Sequence, residues 1–162
     1  MKLQKRVEDP RLLRGEGQFI DDLIFPKMLH LVFVRSPYGH AKIKSINSSD
    51  ALKKAVAVID GKTVANETKP LYTLIRDVPY YGIAVGKARF FGEPVAMVAA
   101  ETLGDALDAS EEVYIDYEPL PPIVDPEEAV NSSNLVHENL GSNVALSRRL
   151  VFGEVEKMFA EA

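Results

Sequence analysis

An α+β domain, a mixed β-sheet with short helices packed on it, is the fold class this sequence predicts. Three features point there: apolar runs of strand length over 29–35 and 94–100, amphipathic helical spacing directly after the second run, and turn chemistry between elements. A chain of 162 residues that is 46% hydrophobic can bury one real core and falls short of two independent domains.

Residues 1–27 mix charge, Gly and Pro without a sustained period and read as an extended N-terminal arm lying over a surface. Leu29–Arg35 is nearly apolar on both faces, as an interior strand requires, and Ser36-Pro37-Tyr38-Gly39 breaks it with turn residues. Ala41–Ile46 alternates, with Ala41 and Ile43 on one side and lysines on the other, so it is expected to have one wet face and to sit nearer an edge. Ser48 or Ser49 is placed to cap a short helix through Leu52 and Lys54. Ala55–Ile59 reads as a strand closed by Asp60-Gly61, and residues 60–85 read as loop with room for a short helix.

Pro94–Ala100 is the strongest buried-strand candidate. Thr102 with Asp105 three residues on starts a helix to about Glu112, whose inward face is predicted to hold Leu103, Ala106, Leu107 and Ser110. Val113–Tyr117 alternates as a strand and ends at Pro119, Pro121 and Pro122. Asp125-Pro126-Glu127-Glu128 is a helix start: a cap, a proline at the first position and a glutamate placed to reach back. Residues 131–149, rich in Asn and Ser, read as exposed loop. The segment 152–162 turns helical, with Val155, Met158, Phe159 and Ala162 on one stripe.

Composition removes several functions. The net charge is −5, from 24 acidic and 19 basic residues without a basic cluster, so no nucleic-acid footprint is present. There is no cysteine, which excludes disulfides, thiol catalysis and iron–sulfur ligation by this chain. The N-terminal residues lack the apolar stretch of a signal peptide, and no run approaches the roughly 20 apolar residues of a membrane span. A cytoplasmic protein with no membrane partner is the expectation.

Apparent chemical motifs fail on inspection. Gly61-Lys62-Thr63 lacks the upstream glycine of a phosphate loop, since Val56 stands there. Gly82–Lys87 is one residue short and runs into Ala88, and Gly15-Glu16-Gly17 has no preceding strand and carries Ile20 at the third glycine position. His30, His40 and His137 share no metal-binding spacing. Glu93, in Phe90-Phe91-Gly92-Glu93-Pro94, has apolar neighbours that could bury it, and is expected to accept backbone hydrogen bonds at the strand's start.

Taken together, the segments 6–22, 28–43, 91–96, 113–121 and 152–156 resemble the molybdopterin-binding large subunits of molybdenum hydroxylases, the xanthine oxidase, aldehyde oxidase and carbon monoxide dehydrogenase group. The likeness is strongest to carbon monoxide dehydrogenase-like and aldehyde dehydrogenase-like large chains, and residues 28–43 match what is read there as a first hairpin. The resemblance implies the N-terminal α/β hammerhead domain, with residues 28–130 as its core. Residues 131–162 would form a loop and helix leading toward the catalytic portion. It also implies an assembled enzyme that hydroxylates its substrate with oxygen from water, holding a molybdopterin-type molybdenum cofactor, iron–sulfur clusters and FAD. Those groups, with the family's glutamine-containing pterin loops and active-site glutamate, would lie in the catalytic portion and in iron–sulfur and FAD subunits.

No catalytic, cofactor-binding or metal-binding residue is therefore assigned to this chain, and by itself it is expected to be inactive. Val155, Met158 and Phe159 are the candidate interface residues. No stop signal follows Ala162, which leaves this helix as an expected docking surface. The other function class is a stand-alone small binding module on the same fold. Absent nucleophile constellations and phosphate loops favour the scaffold, because function lives in sites rather than folds.

Overall fold

The computed structural model describes residues 6–73 and 78–162. The α+β class holds. Its strands are divided between two three-stranded antiparallel sheets rather than gathered into one mixed sheet. In the first, β1 (His30–Arg35) and β3 (Ala57–Asp60) flank β5 (Pro94–Ala100). In the second, β4 (Lys87–Ala88) and β6 (Tyr114–Pro119) flank β2 (Ala41–Asn47).

The division begins at Ser36. Its N–H donates to the Glu93 carbonyl at 2.9 Å, and its own carbonyl accepts from the Gly92 N–H at 2.9 Å. The following turn sends β2 into the other sheet, so residues 28–43 do not form the expected hairpin. β2 is central rather than near an edge. One wet face is compatible with a middle strand of an antiparallel sheet, so the lysine alternation located a face and not a border. β1 is conversely an edge strand, although its sequence is that of an interior one.

β5 is the core strand: Val95, Ala96, Val98 and Ala100 are fully buried, and Val98 lies between Val32 of β1 and Val58 of β3. Helix α3 (Leu103–Glu111) packs across β1 and β5. Its N-terminus is capped as expected, the Thr102 hydroxyl accepting the Asp105 N–H at 3.1 Å. Its buried face is centred on Ala106 and Ala109; Leu103 and Leu107 are half-exposed, so the expected inward stripe is rotated. Two alanines let the helix backbone approach the sheet, which larger side chains at those positions would prevent. Ala51, Ala96, Val98, Ala109 and Val113 form the resulting core cluster.

Other boundaries shift for local reasons. Within the arm, α1 (Asp9–Leu13) is a short helix with Pro10 in its first turn, and Ile20–Asp22 makes a 3₁₀ turn, so this stretch is not uniformly extended. Neither Ser48 nor Ser49 caps by its side chain; Ala51–Lys53 is a 3₁₀ turn after Asp50. The stretch 60–85 contains α2 (Gly61–Glu67), and residues 74–77 of it lie outside the described residues. α4 (Pro126–Asn131) starts where expected, the Asp125 carboxylate accepting the Glu127 and Glu128 N–H groups.

Candidate interaction surfaces

The glycine motifs find local uses. Asp60 Oδ1 accepts the Thr63 N–H at 2.8 Å and the Thr63 hydroxyl at 2.7 Å, so Gly61-Lys62-Thr63 is the capped first turn of α2. Burial alone would raise the Asp60 carboxyl pKa. The two Thr63 bonds, with the charge of Lys62, outweigh it and hold the carboxyl below its ordinary range. In the second motif Gly82 and Gly86 take left-handed conformations, and the Lys87 side chain, 8% exposed, donates to Glu138 Oε1 at 2.7 Å. That ammonium is committed to a carboxylate in the 131–149 loop.

A polar cluster surrounds this pair. Glu93 is buried and accepts the Arg89 N–H, the loop role expected of it. The Arg89 guanidinium donates to the Lys87 carbonyl at 3.1 Å. His137 is held below its ordinary pKa by burial first, then by the charges of Arg89 and Lys87. His137 lines two hollows, one of about 350 Å³ bounded by Ile123, Pro126, Ala129 and Leu140. The other, of about 300 Å³, is bounded by Tyr80, Arg89, Phe90 and Glu93. His40, also buried, is tied through Nδ1 to the Pro121 carbonyl at 3.0 Å, and His30 lies on β1. Among the described residues no three metal-ligating side chains converge.

The loop over 131–149 is more ordered than its composition implies. Asn143 donates to the carbonyls of Ala129 (3.1 Å) and Asn134 (2.8 Å) and accepts the Val136 N–H at 2.9 Å. One asparagine thus replaces a missing ladder by bonding backbone groups, and an Asn-rich stretch is where such a hub could have been sought.

Beyond it, α5 (Val155–Glu161) carries the expected stripe. Val155, Met158 and Phe159 are 53%, 70% and 79% exposed. Leu150, Val151 and Phe152 before it are also exposed, as are Leu13, Phe19, Ile20, Ile24 and Phe25 of the arm. These side chains form two stretches of exposed apolar surface, one in the arm and one at the C-terminal helix.

Residues 14–121, which hold both sheets, match the family described as aldehyde oxidase and xanthine dehydrogenase, a/b hammerhead domain. The chain belongs to that family. It is 36% identical to the 6-hydroxypseudooxynicotine dehydrogenase complex subunit gamma of Paenarthrobacter nicotinovorans, across 97% of this chain and 21% of that protein. It is 43% identical to the carbon monoxide dehydrogenase large chain of Afipia carboxidovorans, across 78% of this chain and 16% of that one. Quinoline 2-oxidoreductase from Pseudomonas putida superposes with a TM-score of 0.76 at 34% identity, over 85% of this chain and 18% of that structure. The chain thus spans about a fifth or less of the length of these relatives.

The residues present do not supply an iron–sulfur cluster. Without cysteine there is no thiolate for an iron–sulfur cluster. The glycine turns that could have cradled a phosphate are engaged at α2 and at Lys87–Glu138. Among the described residues no helix is long and apolar enough to cross a membrane.

Proposed function

We propose that this chain is the non-catalytic N-terminal domain, or a separately encoded split subunit, of a molybdenum-cofactor oxidoreductase large chain. The kind is carbon monoxide dehydrogenase-like or aldehyde dehydrogenase-like. Its work is mechanical: it supplies scaffold and subunit contacts for an enzyme that hydroxylates substrate with water-derived oxygen. The molybdopterin-type cofactor belongs to the catalytic portion of the large chain. Iron–sulfur clusters and FAD belong to companion subunits, and the assembly is cytoplasmic.

The observation that carries this reading is the bare stripe of α5. A seven-residue helix is marginal in water by itself, so it gains its stability from whatever covers Val155, Met158 and Phe159. Burying three such side chains contributes roughly 1.5–3 kcal/mol each, enough to hold a domain in an assembly. Phe159→Ala tests it. The variant should melt within about a degree of the parent while its association with the catalytic polypeptide weakens at least about tenfold, the equivalent of one lost anchor. A melting point lowered by several degrees with association intact would assign the helix to this domain's own core.

A further inference from the structure

The first sheet is apolar on both faces, and the face opposite α3 is only partly covered: Val95 at its end is buried, whereas Leu31 and Phe33 are exposed. Val32, Ala96, Val98 and Val58 point toward the side where α3 packs. On the opposite side the antiparallel register aligns two rows across the three strands. Leu31, Ala99 and Ala57 form one row; Phe33, Met97 and Ile59 form the other. All six are at least partly exposed, Leu31 at 49% and Phe33 at 39%. The Arg35 guanidinium closes one end, 5.6 Å from the Phe33 ring centre.

A strand with one side in water alternates apolar and polar residues, whereas a strand covered on both sides does not. β1, β3 and β5 follow the second pattern, yet in this chain the side opposite α3 is covered only in part. We propose that the Leu31–Ala57 and Phe33–Ile59 rows are the docking face for the catalytic portion of a molybdenum-hydroxylase large chain. This rests on the function proposed above and adds a surface separate from α5. The occupant follows from length: relatives carry this domain as 16% to 21% of a much longer chain, so about four-fifths of the protein is available to lie against it. The shape is stepped, with a ridge at Phe33, Met97 and Ile59 beside a ledge floored by Ala99 and Ala57. The complementary element therefore presents large apolar side chains over the ledge.

The absence of cysteine supplies the test, since any introduced thiol is unique in this chain. Phe33→Cys and Ile59→Cys, at opposite edges of the face, are labelled with a maleimide in the chain alone and in its assembly with the catalytic polypeptide. Leu31→Cys replaces either if it fails to fold. Labelling should slow by about tenfold or more on assembly, as at the dry core of an interface. Unchanged labelling in a chain that has entered the assembly overturns the docking face and leaves the proposed function standing. Failure of the unsubstituted chain to enter the assembly overturns both. Protection that grows with the concentration of the chain alone assigns the face to a second copy and also overturns the proposal.

Discussion

Gly61 has room for a hydrogen and nothing larger, because a Cβ built there falls inside the contact radius of the Ala84 carbonyl oxygen. Gly61→Ala should push α2 off the 82–86 loop and cost about 1–3 kcal/mol or more, as overpacking does. An unchanged urea midpoint would show that the loop gives way freely. The Lys87–Glu138 pair makes a second test. Glu138 is held below the ordinary carboxylate range, first by the hydrogen bond from Lys87 and next by a backbone hydrogen bond, with added charge from Lys87 and Arg89. A carboxyl depressed in the folded state contributes stability above its ordinary pKa and loses it as pH falls through the folded value. Glu138→Gln should therefore cost about 1 kcal/mol at pH 7, modest because the Glu138 side chain is 67% exposed and solvent screens it. The gap from the parent should narrow as the pH falls from 7 through and below the ordinary carboxylate range, as the parent's own Glu138 protonates. Urea midpoints at the two ends measure it, and a gap that stays constant contradicts the pairing.

At the scale of elements, β5 organises the rest. Val98 is fully buried between Val32 and Val58, so Val98→Asp places a carboxylate where it has neither water nor a partner. The cost of several kcal/mol set against a total of about 5–15 predicts a chain that does not fold. A soluble variant with an unchanged cooperative melt would refute this placement. This strand was legible because seven residues without a charge leave little choice of environment. α3 and α4 were legible for a different reason: Thr102 and Asp125 are local caps whose chemistry does not depend on the rest of the chain. The neighbours of β2 were not legible. Pairing with β4 and β6 depends on contacts between residues such as Ile43 and Tyr117, far apart in sequence, which no local pattern encodes. The inward face of α3 was legible only in part: Ala106 was placed on it, but Ala109 was not, because periodicity favours the leucines while the close approach to the sheet selects alanine.

For the whole molecule, the apolar surface is distributed in an unusual way. A modest core is surrounded by an exposed arm, a partly covered sheet face and a bare terminal helix. The stripe of Val155, Met158 and Phe159 was visible in the sequence through its helical spacing. The partly covered sheet face was present there too, in the two-sided apolar character of Leu29–Arg35, but showed itself only once β1 lay at an edge. Lys87–Glu138 could not be anticipated, because the partners are 51 residues apart and their bond depends on how the loop returns. These features join in one account: a domain that folds around β5 and spends its remaining apolar surface on a larger assembly. Its most direct test is calorimetric titration of the purified chain into the catalytic polypeptide, alongside titrations of the chain alone with molybdate, FAD and ATP. The account predicts a saturable one-to-one complex with the polypeptide and no stoichiometric binding of the small molecules. No heat with the polypeptide, or a saturable site for one of the small molecules on the chain alone, would contradict it.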